Sequence, residues 1–258
     1  MNFHNSVAQI QELCFFKEFT FSQNQFQDAS KNEHEFADSV IWLDNLLIVY
    51  QLKERNHGKY TTSEIEGRWF KKNILDKAKS QIGNTLNYLK DFNSIPLSNH
   101  RGNVVDISDL AITSIHKVIL YRASPLLPRN CRNQKYYRSR KSGFIHLFES
   151  ASYLKVLQIL VTPAEINDYL YFREKLLTDF DSGGSPISEK ALLGQYLCAD
   201  EFRCPDANFS EYVESLNSEL NDWNISGLIQ GFRERQTDFT QPNDYILCYP
   251  RARQIEKE

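Results

Sequence analysis

The sequence predicts an α/β protein, with a mixed sheet flanked by helices over residues 1–162 and a helical C-terminal extension over 163–258. Three observations lead there. Two apolar runs rich in Val, Ile, Leu and Trp flank Asp44-Asn45, the signature of two strands joined by a two-residue turn. Apolar residues at four-residue spacing then mark a long helix with one buried stripe. Beyond Thr162 the strand texture gives way to helix start signals.

Taken in order, residues 5–13 (NSVAQIQEL) predict a short helix with Val7, Ile10 and Leu13 on one side. Phe15 to Phe21 (FFKEFTF) alternates as a strand, and the polar run Gln23 to Lys31 reads as a loop. In the hairpin that follows, Leu43 faces Leu46 across the turn, and counting outward puts Asp38 opposite Gln51. Alternation places Gln51 and Lys53 on one face, with Asp38, Val40, Trp42, Leu47 and Val49. Ile41, Leu43, Leu46, Ile48 and Tyr50 form the other. Both faces are apolar, so the hairpin is interior and covered on both sides. An acid, an amide and a lysine therefore converge at one end of a buried sheet.

Glu54 to Thr62 is a polar connection. Ser63 caps a helix from Glu64 to about Lys90, with Glu66 as the acid at its third position. Ile74, Ala78, Ile82 and Leu86, with Leu75 and Leu89 beside them, form its buried stripe; Lys77 and Gln81 lie one turn apart on a neighbouring stripe. Ile95-Pro96 ends the helical region, and 103–107, 115–121 and 143–148 read as further strands. Between the last two lies RNCRNQKYYRSRK, Arg129 to Lys141, a loop with six basic residues and no acids. Arg132, Lys135, Arg138, Arg140 and Lys141 can contact phosphates, and Tyr136 and Tyr137 can stack on bases. A solvated loop, or one paired with the acidic C-terminal region, is the alternative. Thr162-Pro163-Ala164-Glu165 then combines an N-cap, a first-turn Pro and a third-position Glu, opening a helix through Tyr169, Phe172, Arg173 and Leu176. After a loop over 179–185, Ser185-Pro186 opens another through Leu193 and Leu197, with two more predicted at 210–222 and 226–235.

The whole-chain figures bound the function classes. The chain has 258 residues, 41% hydrophobic and 24% charged, with a net charge of −3. Lys/Arg outnumber Asp/Glu by 21 to 15 over 1–162, and trail by 9 to 18 over 163–258. A basic front half suits a polyanion, and an acidic back half suits a partner surface. The five cysteines form no C-x-x-C pair, no secretory signal follows Met1, and no apolar run approaches bilayer length. The expected setting is cytoplasmic, with no membrane partner. No paired zinc spacing, phosphate-binding glycine loop or nucleophile elbow is present.

Asp38 and the triplet Gln51-Leu52-Lys53 resemble the PD-(D/E)XK nuclease superfamily, the restriction-endonuclease-like fold, in the Q-x-K form of Mrr-type restriction endonucleases. Gln in the first triplet position departs from the commoner Glu, and the resemblance covers about sixty residues, Glu33 to Leu89. It implies a metal-dependent nuclease using Mg²⁺ or Mn²⁺, held by Asp38 and Gln51 with an upstream acid, for which Glu35, then Glu33, then Glu12 are the candidates. Lys53 would act on the attacking water, and Gln81, or else Lys77, would face the site from the following helix. The substrate implied is nucleic acid, DNA before RNA, in restriction or antiviral defence, with a homodimer or a defence-system protein as further partner. The segment Thr162 to Leu176 is similar to one downstream of the nuclease core in bacterial restriction-endonuclease-like proteins of unassigned role. The competing reading is a catalytically inactive nucleic-acid-binding or protein-interaction subunit on the same fold.

Overall fold

A computed structural model describes residues 3–55, 62–108, 112–160, 162–179 and 187–198. The chain divides into two compact units, Met1–Tyr153 and Leu154–Glu258.

The first unit is built on an eight-stranded mixed sheet. Its strands are β1 (Thr20–Gln23), β4 (Ser39–Leu43), β5 (Leu46–Glu54), β6 (Pro96–Asn99), β7 (Val104–Asp106), β8 (Ser114–Arg122), β9 (Tyr136–Ser139) and β10 (Gly143–Glu149), ordered β7-β6-β1-β4-β5-β8-β10-β9. A separate hairpin pairs β2 (Gln25–Gln27) with β3 (Glu33–Glu35). The central turn forms at Asp44-Asn45, with Asp44 at φ +51°, and β4 pairs with β5 from Leu43↔Leu46 to Ser39↔Tyr50. β5, β8 and β10 run parallel, and β5 is buried from Leu46 to Leu52. Strands covered on both faces read as continuous apolar runs, which accounts for LLIVY and VILY.

On one face lies the helix opened by α2 (Ser63–Phe70), wound as a π-helix over Lys71–Ala78 and continued by α3 (Lys79–Asp91). Phe70, Ile74, Ala78 and Ile82 pack there against Ile119, Tyr121, Ile145 and Leu147. Val40, Leu47 and Val49 continue that face against Phe26, Phe36, Ile95 and Leu97. Helix α1 (Phe3–Phe15) buries Phe3, Val7, Gln11 and Phe15, and its Gln11 Oε1 accepts from Ser39 Oγ at 2.6 Å. Tyr50, on the face opposite Val49, shares a hydroxyl–hydroxyl bond of 2.6 Å with Tyr153, and burial raises the pKa of both.

Five local expectations are corrected. The FFKEFTF stretch is not one strand: α1 runs through Phe15, Phe16 turns the chain at φ +64°, and a 3-10 turn over Lys17–Phe19 precedes β1. That path leaves both Phe15 and Phe21 fully buried. Within Gln23–Lys31, β2 forms because Phe26 is buried against His34, Tyr88 and Phe92. Asp28 then closes the turn by accepting from the His34 ring, the Asn32 side chain and the backbone N–H groups of Ser30 and Asn32. Those bonds, the one from His34 foremost, hold its carboxyl below the usual carboxylate range. Thr62, not Ser63, caps α2, accepting from Ile65 N at 3.3 Å. Pro96 opens a strand, where Leu97 is buried. The basic segment is no loop: it forms α4 (Arg129–Asn133) and the edge strand β9.

The second unit begins inside α5 (Ser150–Ile159) and contains α6 (Pro163–Asp179) and α7 (Glu189–Cys198). The capping box forms as the spacing predicts: Glu165 N donates to Thr162 Oγ1 at 3.2 Å and Thr162 N to Glu165 Oε2 at 3.3 Å. Arg173, fully buried, donates from Nε and Nη2 to Glu189 at 2.8 and 3.0 Å, and Tyr169 OH donates to the same carboxylate at 2.6 Å. This charge-assisted cluster ties α6 to α7. The expected helices at 210–222 and 226–235, and the Ser185-Pro186 start, lie outside the described residues.

Candidate active site

The β4–β5 register carries Asp38, Gln51 and Lys53 to one end of the sheet. Asp38 immediately precedes β4, and Gln51 and Lys53 are two residues apart on β5, so the pleat turns both to the helix-covered face. Asp38 Oδ2 accepts from Leu52 N at 2.6 Å and from Lys53 Nζ at 3.0 Å. The backbone bond fixes the carboxylate against the strand. Lys53 Nζ also donates to Gln51 Oε1 at 3.3 Å and to Leu52 O at 3.1 Å. One ammonium thus sits among three oxygens, from a carboxylate, an amide and a backbone carbonyl. The side chains of Lys53 and Asp38 are 14% and 10% exposed and Gln51 is buried, so water screens this cluster little.

Arg55, two residues beyond Lys53, donates from Nε to Glu66 Oε1 at 3.0 Å, and Glu66 is fully buried on α2. The Lys-x-Arg spacing and an acid inside the next helix carried that signal, but Glu66 fitted a capping role equally well. On α3, Thr85 Oγ1 donates to Phe36 O, two residues before Asp38. Gln81 lies one turn earlier on the same stripe, and its buried Oε1 has no hydrogen-bond partner among the described residues. Lys77, a further turn back, is exposed.

The upstream acids are placed elsewhere. Glu33 and Glu35 are exposed on β3, and among the described residues neither bonds to Asp38, Gln51 or Lys53. Glu12 meets the His100 ring and lies 3.7 Å from Lys17 Nζ.

The basic segment is divided by its own secondary structure. Arg132 spends its guanidinium internally: Nη1 donates to both Glu149 oxygens at 2.6 and 2.7 Å, Nη2 to Ser124 O at 2.7 Å and Nε to Leu127 O at 3.3 Å. Lys135 Nζ donates to Arg132 O at 3.2 Å. Tyr136 and Tyr137 alternate faces on β9. Tyr136 stacks on Phe144 with centroids 4.8 Å apart, and Tyr137 lies under Lys79, whose Nζ is 4.6 Å from its centroid. Arg138, Arg140 and Lys141 are exposed. Register sets their distance from the hairpin. Lys53 aligns with Tyr121 and Tyr121 with Glu149, whereas the Arg140-Lys141 turn precedes Gly143, six residues upstream. At the rise of a strand that is about 20 Å along the sheet, so the turn does not adjoin Lys53 as a gripping loop beside the site would.

Three oxygens converging on one cation, a single carboxylate among them, form a hard donor set of the kind Mg²⁺ or Mn²⁺ takes. Asp38 Oδ1 carries no hydrogen bond among the described residues, which leaves it available to such an ion. The residues present therefore fit the metal that the resemblance implies. No protein-family model, curated protein or solved structure matches this chain. Fold and site define its class as an α/β protein with a large mixed sheet flanked by helices. Among the described residues no helix is long and apolar enough to cross a membrane.

Proposed function

We propose that this chain is a metal-dependent nuclease on a restriction-endonuclease-like core, hydrolysing phosphodiester bonds of nucleic acid, with DNA the first candidate substrate and RNA the second. The observation that carries the reading is the convergence of Asp38, Gln51 and Lys53, with Lys53 Nζ 3.0 Å from Asp38 Oδ2. Asp38, Gln51 and the Leu52 carbonyl would hold Mg²⁺ or Mn²⁺. Bound there, the ion would neutralise phosphate charge and lower the pKa of a water. Lys53 would hold that water by hydrogen bonding, or offset charge developing on the phosphate. Gln81, with its unsatisfied amide oxygen, would orient the water or the substrate. Restriction or antiviral defence is the setting in which such an activity belongs.

A second reading, an inactive nucleic-acid-binding subunit, is favoured by the single carboxylate among the three residues. Incubation of the full chain with plasmid, single-stranded DNA and RNA, with Mg²⁺ or Mn²⁺, separates the two. The nuclease reading expects metal-dependent cutting that disappears in folded Asp38→Ala and Lys53→Ala. Binding without cutting on every substrate would replace it with the second.

A further inference from the structure

A second constellation of reactive groups shares no residue with the cluster of Asp38, Gln51 and Lys53. The Ser22 hydroxyl meets His100 Nε2, and His100 Nδ1 meets a Glu12 carboxylate oxygen. One tautomer satisfies both contacts: Nδ1–H donates to Glu12, and the bare Nε2 accepts from Ser22. Three elements supply the groups. Glu12 is on α1, Ser22 on β1, and His100 follows β6.

Two features show that the alignment is built into the backbone. Between β1 and β6 the register slips, so that Phe21 faces Asn99 and Gln23 faces Ser98, leaving Ser22 as the extra residue of a bulge. Bulges re-aim a side chain and recur beside active sites. The turn carrying His100 is pinned on every side. His100 N donates to Thr20 O at 3.1 Å, and Asn99 Oδ1 accepts from Arg101 N and Asn103 N at 3.0 and 2.9 Å. Asn99 Nδ2 donates to Glu18 O at 2.9 Å, and Gly102 closes the turn at φ +83°, where a side chain would be strained. The imidazole is therefore preorganised, with Glu12 behind it and the exposed Ser22 in front.

We propose that Ser22, His100 and Glu12 form a nucleophile–base–acid triad that cleaves carboxylic esters, independently of the phosphodiester chemistry assigned to Asp38 and Lys53. The roles follow the logic by which such triads recur on unrelated folds. Ser22 Oγ bonds to the ester carbon as its proton passes to His100 Nε2 and the carbonyl pair moves onto oxygen. Collapse expels the alkoxide, which takes the proton from Nε2 and leaves an acyl-Ser22. Water then repeats the sequence, releasing the acid and restoring the hydroxyl. Glu12 holds the tautomer and offsets the charge of the imidazolium.

The test is labelling of the purified full chain with a fluorophosphonate probe, the modified residue being located by peptide mass, beside the acetyl burst from p-nitrophenyl acetate. The triad predicts one label, on Ser22, absent in Ser22→Ala and slowed about 10²–10⁴-fold in His100→Gln. Glu12→Gln slows it too, and serves if His100→Gln unfolds. Lys53→Ala labels at the wild-type rate, so loss of nuclease activity and loss of the triad are read separately. Labelling of Ser22 no faster in wild type than in folded His100→Gln or Glu12→Gln, or no label at Ser22, overturns the proposal.

Discussion

Asp38-Gln51-Lys53 and the basic segment Arg129–Lys141 are the two groups of chemistry-bearing side chains that the sequence singles out, and the fold treats them oppositely. At the hairpin, antiparallel pairing brings residues 13 and 15 positions apart into one hydrogen-bonded cluster. In the basic segment, neighbours in sequence are driven apart. α4 turns Arg132 inward onto Glu149, β9 sends Tyr136 and Tyr137 to opposite faces, and Arg129, Arg138, Arg140 and Lys141 stay open to solvent. Local density of charge says little until strand alternation is applied to it.

The largest effect that sharpens this contrast is catalytic. Asp38→Ala or Lys53→Ala is expected to lower metal-dependent cleavage by about 10³-fold, whereas Arg138→Ala with Arg140→Ala leaves the rate at saturating substrate near wild type. Equal losses in both pairs would break the division between the two regions.

Next comes stability within the basic segment itself. Arg132→Ala strips Glu149, Ser124 O and Leu127 O of their donor and should cost about 1–3 kcal/mol in urea unfolding. Arg140→Ala should stay within about 0.5 kcal/mol. Similar values for the two would show that Arg132 is not the anchor that its four bonds describe.

A titration remote from both regions supplies the control. Burial alone would raise the Asp106 carboxyl, but hydrogen bonds from Ser94, Ile95 N and Ser108 outweigh it and bring the pKa down from 3.8 to about 2. The folded state therefore binds this proton less readily than the unfolded chain. Its stabilisation is full above about pH 4 and is lost as pH falls from 4 towards 2. Asp106→Asn should flatten that limb of the stability profile without changing cleavage or nucleic-acid binding. The smallest effect is on binding: each of Arg138→Ala, Arg140→Ala and Lys141→Ala should reduce the slope of log affinity against log salt by about 1 if that residue contacts a phosphate.

The hairpin was legible because a two-residue turn and a period of two determine every partner outward from Leu43↔Leu46. The same reasoning missed β2 and β6, which are held by one buried apolar side chain each, Phe26 and Leu97, in short polar runs with no hydrophobic alternation to read. Glu66 was legible as an acid early in a helix but not as the buried partner of Arg55, because a cap and an ion pair use the same residue type at the same place. Glu35 illustrates the converse. Three residues from Asp38 in sequence, it lies on a separate hairpin with its side chain in solvent, since β3 pairs with β2 and not with the central sheet. The Ser22–His100–Glu12 alignment joins residues 78 and 88 positions apart, and nothing short of the β1–β6 pairing could have placed them together.

The measurement that bears most directly on the central claim is cleavage of one DNA substrate across a Mg²⁺ titration, with wild type, Asp38→Ala and Arg140→Ala compared at low salt. The account predicts saturable, metal-dependent cutting by wild type and Arg140→Ala, and cutting about 10³-fold slower by Asp38→Ala at every Mg²⁺ concentration. Cutting by a folded Asp38→Ala at the wild-type rate, with the wild-type dependence on Mg²⁺, would contradict it.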